Sequence, residues 1–576
     1  MELHYTSERN VQIVISLLKQ YNIKRVVASP GTTNITFIGS IMHDPFFEIY
    51  SSVDERSAAY IACGIAEETG EPVVISCTGA TASRNYFSGL TEAFYRKLPI
   101  VAITSTQNES FIGHLRAQVI DRNIQPKDIV KCSVHLRTIK DADDEWYCML
   151  NANKALLELN HHGKGPVHIN LETTYSTDFE TKEIVNVRKI NRFYASDAFP
   201  NLPQGRIAIY IGTHLPFTDE VTKLIDDFCE INNSVVFCEP SSNYWGKYRV
   251  VYELPASQRV IDILKKPELL IHIGEVSDFP GTFYDTKQVW RVSEDGELRD
   301  RLKKLTCVFE MTDMEFFSHY QNGEKKESEY YQQCFNNYNE IYSQFPDLPL
   351  SNIWIASRLQ GKLPKNSELH LGILNSLRAW SFFENKGGNT VFCNEGGFGI
   401  DGILSTAIGA SLINKERLYF CILGDLAFFY DMNVLGNRHI NNNLRILLVN
   451  NGKGSEFHLT GNPGAIFLPE TELYMSAGGH YTNKSKDIVR HIATDWGFEY
   501  LTASTKEEFE AHIDHFLSDA HYDKPIIFEV FTHTEAEDSA LTAVKSIKVS
   551  YASKITGAVK KIVGNDNYEK LKGLIK

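Results

Sequence analysis

The sequence predicts an α/β protein of three domains, each a sandwich of helices around a parallel sheet. Short apolar runs that end in small or turn-forming residues alternate with helical patterns, as at Arg25–Ser29, Pro72–Cys77 and Pro99–Thr104. This alternation is typical of parallel sheets. The length of 576 residues exceeds what one hydrophobic core supports. We therefore expect three domains of roughly 150–200 residues each.

The apolar runs fall into three blocks along the chain. The middle block begins near Gly205 with GRIAIYIGTH and contains no GxGxxG, so it gives no sign of a dinucleotide site. A polar stretch at 321–328 predicts a surface loop before the last block. Strands of the last block are predicted at Thr390–Asn394, Leu418–Gly424, Leu444–Asn450 and Pro525–Phe531. The predicted domains are 1–185, 186–345 and 346–545, followed by a Lys-rich helical tail at 546–576.

At the N-terminus, Thr6 is the expected cap of an amphipathic helix. The residues predicted to form its apolar face are Val11, Val14, Ile15 and Leu18.

Composition narrows the possible partners and compartment. The net charge of −14 disfavours nucleic acid and anionic membrane surfaces as partners. Ten cysteines contain no CxxC pair, which argues against a zinc site and for reduced thiols. The first residues show no signal-peptide pattern, and no apolar run reaches the roughly 20 residues of a membrane span. We expect a cytoplasmic protein without nucleic-acid or membrane partners.

Two polar pairs in the last block follow neighbouring apolar runs. Gly424–Asp425 follows LYFCIL, and Asn450–Asn451 follows LRILLV. The 25 residues between Asp425 and Asn451 suffice for a helical crossover between parallel strands. Both pairs are then expected at the carboxyl edge of the sheet, where ligands bind. The alternative is two turns that merely share a sheet.

The chemistry of these pairs suits a metal-bound diphosphate. A carboxylate and an amide oxygen are ligands that Mg²⁺ prefers. Backbone N–H groups after Gly424 would face phosphate oxygens. The pattern therefore indicates a site for a diphosphate with Mg²⁺.

This GD…NN spacing resembles the signature of thiamine-diphosphate enzymes. The resemblance implies that thiamine diphosphate and Mg²⁺ are the cofactors. It also implies that Asp425, Asn451 and the backbone carbonyl of Lys453 bind the metal. The residues it places around the cofactor's diphosphate are Gly424, Asp425, Leu426, Ala427 and Asn451.

The run SVDERSAAYIACGIA in the first block resembles the pyrimidine-binding domain of the same enzymes. The resemblance implies that Glu55 is the catalytic carboxylate. Such a group hydrogen-bonds the aminopyrimidine ring and drives the imino tautomer that removes the C2 proton of the thiazolium. The alternative is that Asp54 and Glu55 simply form a helix N-terminus.

Within these enzymes the chain most resembles the MenD-like branch, the 2-succinyl-5-enolpyruvyl-6-hydroxy-3-cyclohexene-1-carboxylate synthases. The resemblance rests on SPG, VDERSAA, CTGATA and NEGGFGIDGILSTAIGA and covers the first and last thirds well. It implies an active site between two subunits of a homodimer or a dimer of dimers. The additional cofactor-binding residues it implies are Thr78, Asn375, Ser376 and Ile400. It also places Gln118 near the substrate, although a solvated helix Gln explains that residue equally well.

The chain departs from this branch where the branch uses arginines to hold substrate carboxylates. Thr32–Thr33 replaces Ser–Arg, and Thr33 stands at the Arg position. Trp380 and Glu395 replace two further arginines. Arg378 lies two residues before the expected position. None of these replacements provides a bidentate carboxylate clamp. The expected substrate-facing residues are Thr32, Thr33, Gln118, Arg378 and Glu395.

These departures predict a decarboxylase or carboligase that acts on a 2-keto acid and on an acceptor outside menaquinone synthesis, such as a sugar. The first alternative is a true menaquinone-pathway synthase in which other cations replace the missing arginines. The candidate cations are Arg84, Arg116, Arg378 and Lys453. The second alternative is an inactive regulatory or structural homologue. The retained Glu55, Asp425 and Asn451 argue against it.

Overall fold

A computed structural model describes residues 4–258, 264, 266–276, 283, 285–385, 388–481 and 484–548. Contact density divides the chain into two units, Met1–Asp197 with Asp295–Glu310 and Ala198–Glu294 with Met311–Lys576. The three predicted domain boundaries remain a prediction. Most of the predicted C-terminal tail lies outside the described residues. No helix in the described part of the chain is both long and apolar enough to span a bilayer.

The described residues contain nineteen strands. They are β1 Arg25–Ala28, β2 Glu48–Ser51, β3 Val73–Cys77, β4 Ile100–Thr106, β5 Cys132–Leu136, β6 Val167–Glu172, β7 Asn191–Tyr194, β8 Ile207–Ile211, β9 Ser234–Cys238, β10 Arg249–Val251, β11 Leu269–Ile273, β12 Gln288–Val292, β13 Leu305–Glu310, β14 Glu368–Leu371, β15 Thr390–Cys393, β16 Tyr419–Gly424, β17 Leu444–Asn450, β18 Glu499–Ala503 and β19 Ile526–Phe531.

Eighteen α-helices lie in the same part of the chain. They are α1 Arg9–Gln20, α2 Ile35–Ile41, α3 Glu55–Thr69, α4 Thr81–Asn85, α5 Phe87–Tyr95, α6 Ala142–Glu158, α7 Asp219–Asn232, α8 Glu253–Ala256, α9 Asp313–His319, α10 Glu329–Tyr342, α11 Asn352–Leu359, α12 Asn375–Trp380, α13 Ile403–Ser411, α14 Asp425–Asp431, α15 Glu470–Tyr474, α16 Ile488–Asp495, α17 Lys506–Leu517 and α18 Thr534–Val544.

The strands form parallel sheets, which confirms the predicted fold class. In the first unit, six strands have the order β2-β1-β3-β4-β6-β5, and β7 pairs with β13. In the second unit, the middle strands have the order β10-β9-β8-β11-β12, and the last six have the order β15-β14-β16-β17-β19-β18. The first and the last six-stranded sheets therefore share one strand order. Their central strands are buried along most of their length, as the continuous apolar runs predict.

The local boundaries follow from apolar patterns and caps. The predicted apolar face of α1 is buried. The predicted cap at Thr6 is wrong, because α1 begins at Arg9 and the Thr6 hydroxyl accepts a hydrogen bond from the Glu8 N–H instead (3.3 Å). The polar stretch at 321–328 is a loop, as predicted. It ends at Ser328, whose side chain caps α10.

Candidate active site

The carboxyl edge of the last sheet brings the two polar pairs together. Strands β16 and β17 are adjacent and parallel, with Gly424 opposite Val449. Asp425 therefore follows β16 at the level where Asn450 ends β17. The structure thus places Asp425 and Asn451 at one sheet edge, as their spacing predicts.

Asp425 is a buried carboxylate that has no balancing cation among the residues that the structure describes. Asp425 is only 4% exposed, and this burial raises the pKa of its carboxyl group to about 7. The carboxylate accepts hydrogen bonds from the backbone N–H groups of Leu426 (2.9 Å to Oδ1) and Gly452. No salt bridge to it occurs among the described residues. A buried carboxylate in this state gains from a bound cation, because unpaired buried charge is costly.

The loop after β17 supplies the other expected metal ligands. The Asn451 Oδ1 atom accepts a hydrogen bond from the Lys453 N–H (3.4 Å), and Gly452 between them has φ +80°. The turn is closed further by the Asn450 Oδ1 atom, which accepts from the Gly452 N–H (3.1 Å). The Lys453 ammonium pairs with Glu472 (2.5 Å), so its charge is already balanced.

Ser455 connects this loop to the predicted NSL segment. The side-chain amides of Asn451 and Asn375 both donate to the Ser455 Oγ atom, at 3.1 and 2.9 Å. The two predicted cofactor residues are thereby held together although 75 residues separate them in the chain. Ser376, the next residue of the segment, is buried. Nothing in the sequence pattern marks Ser455, because a lone Ser after NNGKG resembles any loop residue.

The donor set at this edge fits Mg²⁺. Asp425 offers a carboxylate, Asn451 an amide oxygen and Lys453 a backbone carbonyl, all hard oxygen ligands. The Asp425 carboxylate has no cation paired to it in the described part of the chain, so it remains available to bind a metal ion. The individual ligand assignments remain predictions.

Three of the predicted substrate- or cofactor-binding residues contact other residues of the protein. The Arg378 guanidinium forms a bidentate pair with Glu456 (2.7 and 3.1 Å) and donates to Asn375. Glu395 is 2% exposed and accepts a hydrogen bond from the Ser241 hydroxyl (2.6 Å). Ile400 is half-buried and packs against the core cluster around β16. Arg378 and Glu395 therefore already have partners within their own unit.

In the first unit, the residues after β1 and β3 form a second network. The hydroxyls of Thr33 and Thr78 are 2.6 Å apart, and Thr33 also donates to the Ser105 carbonyl (3.1 Å). A Cβ on Gly31 would lie 2.3 Å from the Thr78 Cβ, so only glycine fits there. Gln118 has φ +66°, and its carbonyl would lie 3.1 Å from a Cβ on Gly79. Thr33, Thr78 and the Gln118 backbone thus lie at one edge of this sheet, while Thr32 and Gln118 are both exposed and Gln118 lies in a turn rather than a helix.

Glu55 is the first residue of α3 and is half-buried. Asp54 caps the helix by accepting a hydrogen bond from the Arg56 N–H (2.9 Å). The helix-terminus interpretation is therefore confirmed for both residues, with Asp54 as the cap and Glu55 in the first turn, while the catalytic role of Glu55 stays a prediction. Helix α3 lies close to α5, because a Cβ on Gly89 would be 2.4 Å from the Ala59 Cβ. The small residues of this helix are required by that approach.

The raised pKa of Asp425 predicts how the metal-free protein responds to pH. The folded carboxyl group binds its proton more tightly than the unfolded chain does between pH 4 and 7, approximately. The free energy of unfolding should therefore fall as pH rises through this window, by on the order of 4 kcal/mol from this group. Asp425→Asn should remove this contribution and so reduce the slope, while Glu537 and Glu529, whose pKa values are also raised by burial, still contribute. Denaturant unfolding of wild type and variant in EDTA at several pH values measures the difference, and parallel curves would contradict it.

Comparison with known proteins identifies the family. Residues 9–125 match the family described as "Thiamine pyrophosphate enzyme, N-terminal TPP binding domain". The chain is 31% identical over 552 residues to the 2-succinyl-5-enolpyruvyl-6-hydroxy-3-cyclohexene-1-carboxylate synthase of Bacteroides thetaiotaomicron, covering 92% of this chain and 97% of that protein. The synthase of the same name from Bacteroides fragilis is 32% identical over 555 residues, with the same coverage. That of Flavobacterium johnsoniae is 28% identical over 568 residues, again covering 92% and 97%.

These relatives correct the predicted function. The prediction of an acceptor outside menaquinone synthesis is wrong, because curated relatives that match nearly the whole chain carry the name of this synthase, and none of these supports another acceptor. That prediction inferred the acceptor from three positions that lack Arg. Cations that hold substrate carboxylates can also come from other parts of the fold. Arg122, for example, is a buried cation that the sequence motifs do not single out, and its side chain and that of Thr33 both donate to the Ser105 carbonyl. The chain belongs to the MenD-like family of thiamine-diphosphate-dependent enzymes, which make carbon–carbon bonds on a three-domain α/β fold.

Proposed function

We propose that this chain is a 2-succinyl-5-enolpyruvyl-6-hydroxy-3-cyclohexene-1-carboxylate synthase. The name of the relatives describes a product with a succinyl group on a cyclohexene carboxylate. A 2-keto acid donor that loses CO₂ to leave a succinyl unit is 2-oxoglutarate, and the corresponding acceptor is isochorismate. Both substrates are small and rich in carboxylates, so cations are expected in the site.

One structural observation supports the proposal independently of the sequence similarity to the synthases. Asp425 is buried with a raised pKa and no cation partner in the described residues, at the sheet edge that also holds Asn451 and Asn375. A protein that had lost its cofactor would gain stability by replacing such a carboxylate. Its retention supports a working cofactor site and argues against an inactive homologue.

Different residues of the protein would act at the diphosphate end and at the aminopyrimidine end of the cofactor. Bound thiamine diphosphate supplies the carbanion chemistry that removes CO₂ and adds the remaining fragment to the acceptor. Asp425, Asn451 and the Lys453 carbonyl would hold Mg²⁺, and Asn375 and Ser376 would lie near the diphosphate. Glu55 would hold the proton shared with the aminopyrimidine, and its half-buried position at the start of α3 leaves the carboxylate available.

The assembly is part of the proposal. In the resembled enzymes, the site lies between two subunits, so Glu55 of one subunit would meet the cofactor held by Asp425 of its partner. The expected active form is a homodimer or a dimer of dimers. Sedimentation at micromolar concentration should therefore show no monomer.

A direct assay tests the function. Purified protein with Mg²⁺ and thiamine diphosphate should consume isochorismate only when 2-oxoglutarate is present, at a rate on the order of 1 s⁻¹ or more. Pyruvate in place of 2-oxoglutarate should give much less turnover, which serves as the donor control. If 2-oxoglutarate is decarboxylated while isochorismate persists, the acceptor assignment fails. If neither substrate reacts with the cofactor-loaded protein, the synthase assignment fails altogether.

A further inference from the structure

Two histidines and a glutamate converge in the first unit, outside the residues assigned to the cofactor. His161 and His162 follow helix α6, and Glu310 is the last residue of β13. The His161 Nε2 atom lies 2.9 Å from the Glu310 Oε2 atom, and the His162 Nε2 atom lies 3.0 Å from Oε1. Each of the three side chains can offer one ligand atom, and these atoms all lie within 4.8 Å of one another. We call this group the His–His–Glu cluster.

The close contact between His161 and Glu310 is buried but is not a hydrogen bond. The His161 side chain is 11% exposed, and that of Glu310 is 8% exposed. Their Nε2 and Oε2 atoms have no hydrogen-bond partner in the described part of the chain, although they are only 2.9 Å apart. Two ligands bound to one zinc ion at its usual distances of roughly 2.0–2.2 Å lie about 3 Å apart. The contact therefore has the spacing of two ligands of one metal ion.

The other ring nitrogen of His161 is held by a carboxylate. The Nδ1 atom donates to Glu158, whose two carboxylate oxygens each lie 2.9 Å away. An ionised carboxylate can only accept, so the proton lies on Nδ1 and the neutral ring presents its Nε2 lone pair to Glu310. A histidine that binds a metal almost always donates its second ring N–H in this way, which fixes the tautomer and the ring orientation. The alternative is an imidazolium that bridges the two carboxylates, but it requires a hydrogen bond from Nε2 that the geometry does not provide.

The Glu310 carboxylate has no hydrogen-bonded cation to balance its charge in the described part of the chain. The guanidinium beside it belongs to Arg192, whose Nε atom is 3.7 Å from the Oε2 atom and forms no hydrogen bond there. Both Nη atoms of Arg192 donate to Glu158 instead, at 3.1 and 3.2 Å. The closest charged or ionisable contacts of Glu310 are therefore two imidazole rings. A cation bound between them would balance the buried carboxylate.

The surrounding backbone positions these ligands. Lys131 donates to the backbone carbonyls of His161 and Gly163 and so fixes the loop that follows α6. His162 has φ +48°, in the left-handed region, and with this turn both consecutive histidines reach the same carboxylate. A Cβ on Gly296 would lie 2.4 Å from the Glu310 Oε2 atom, so only glycine leaves room for the carboxylate there.

The ligand types select the metal. Two imidazole nitrogens and one carboxylate oxygen suit zinc and neighbouring transition metals, whereas Mg²⁺ and Ca²⁺ prefer oxygen ligands alone. None of the three ligands is a cysteine, so the lack of a CxxC pair, which argues against a cysteine zinc site, does not exclude this one. The His162 side chain is 72% exposed, so further coordination positions face solvent and can hold water.

We propose that the His–His–Glu cluster binds a divalent transition-metal ion, best matched by Zn²⁺, and that the ion links the loop after α6 to the end of β13. The loop leads into the amino end of β6, whereas Thr33 and Thr78 lie at the carboxyl edge of the same sheet. The metal would therefore lie at the edge opposite these residues. Its role is to stabilise the first unit rather than to contact a substrate.

Calorimetry with the full-length protein tests the site. The protein is stripped with EDTA, dialysed and titrated with Zn²⁺ in excess Mg²⁺, which occupies oxygen sites such as that predicted at Asp425. Wild type should show a zinc site that His162→Gln weakens by about tenfold or more, since loss of even an outer partner of a metal ligand costs about 10- to 100-fold. His162 is exposed, so this variant should fold as wild type does.

Two further variants make the binding experiment specific. Glu310→Gln keeps the shape of the side chain, removes the charged ligand and should weaken zinc binding at least as much. His515→Gln is the matched control, because His515 pairs with Glu499 at 2.8 Å and no third ligand of this kind joins the pair in the described part of the chain. It should bind zinc as wild type does. If wild type has no zinc site, or if His162→Gln and Glu310→Gln bind zinc as wild type does, the proposal is overturned and the cluster is an ion-pair network.

Thermal unfolding tests the structural role. Zn²⁺ should raise the midpoint of wild type by about 2 °C or more, because an ion that binds only the folded state stabilises it. His162→Gln should lose most of this rise, and His515→Gln should keep it. A rise of the same size in His162→Gln would contradict the proposal. Neither measurement requires turnover, so failure of the synthase assay would leave both valid.

Discussion

Replacing Asp425 by Ala should abolish cofactor binding. The carboxylate is the one charged ligand expected for Mg²⁺, and the metal shares its remaining positions with the diphosphate. Wild-type protein treated with EDTA should bind thiamine diphosphate very weakly. Returning Mg²⁺ should strengthen the affinity by about a hundredfold or more. Asp425→Ala should show no measurable binding under either condition. Calorimetry with and without Mg²⁺ gives the comparison.

Asp431 provides a matched control for this experiment. It is a second buried carboxylate in α14, 5% exposed, but it accepts hydrogen bonds from the N–H (2.7 Å) and hydroxyl (2.5 Å) of Ser405. Asp431→Asn should reduce stability and leave Mg²⁺-dependent binding in place. Tight binding of the cofactor by metal-free wild type would remove the assigned role of Asp425.

Replacing Glu55 by Gln should leave cofactor binding intact and slow the exchange of the C2 proton. Gln keeps the shape of the side chain and removes the group that accepts a proton. General acid–base catalysis contributes typically 10²–10⁴-fold, so a loss of that size is expected. Proton exchange on the bound cofactor is followed by NMR after quenching in acid. An exchange rate equal to that of wild type would exclude the catalytic role.

The neighbouring Asp54 separates helix capping from chemistry. Asp54→Asn should retain C2 exchange, because Asn also caps helices well.

Mixing Glu55→Gln with Asp425→Ala protein tests the shared site, since each variant is inactive but a mixed dimer contains one intact pair. Activity should return after subunit exchange. Its absence in demonstrated mixed dimers would place both residues in one subunit's site.

Much of the fold follows from the apolar runs of the sequence. The predicted strand Leu444–Asn450 coincides with β17, and Leu418–Gly424 differs from β16 by one residue. Such runs are recognisable because both faces of a central parallel strand are buried. The position of Asp425 at the sheet edge was predictable for the same reason, since it directly follows a buried strand.

Contacts between distant segments could not be predicted in this way. Glu395 pairs with Ser241 across 154 positions of the chain, and no local pattern announces that hydrogen bond. Arg122 belongs to a polar stretch, LRAQVIDRNIQ, that resembles exposed sequence, yet its side chain is buried. The error about the acceptor has the same origin. A local motif shows which side chain is missing at a position, but not which remote side chain approaches that position in space.

The shared strand order of the two six-stranded sheets has a consequence for folding. Two regions of one topology within a chain can exchange strands and trap misassembled forms. Their buried polar pairs differ, and this difference disfavours exchange. In the first sheet, Asn170 of β6 bonds His135 of β5 (2.9 Å), whereas Glu529 of β19 accepts hydrogen bonds from Tyr500 (2.7 Å) and Asn450 (2.6 Å) in the last sheet. A strand inserted into the wrong sheet would bury Glu529 without either donor, so these polar partners favour correct assembly.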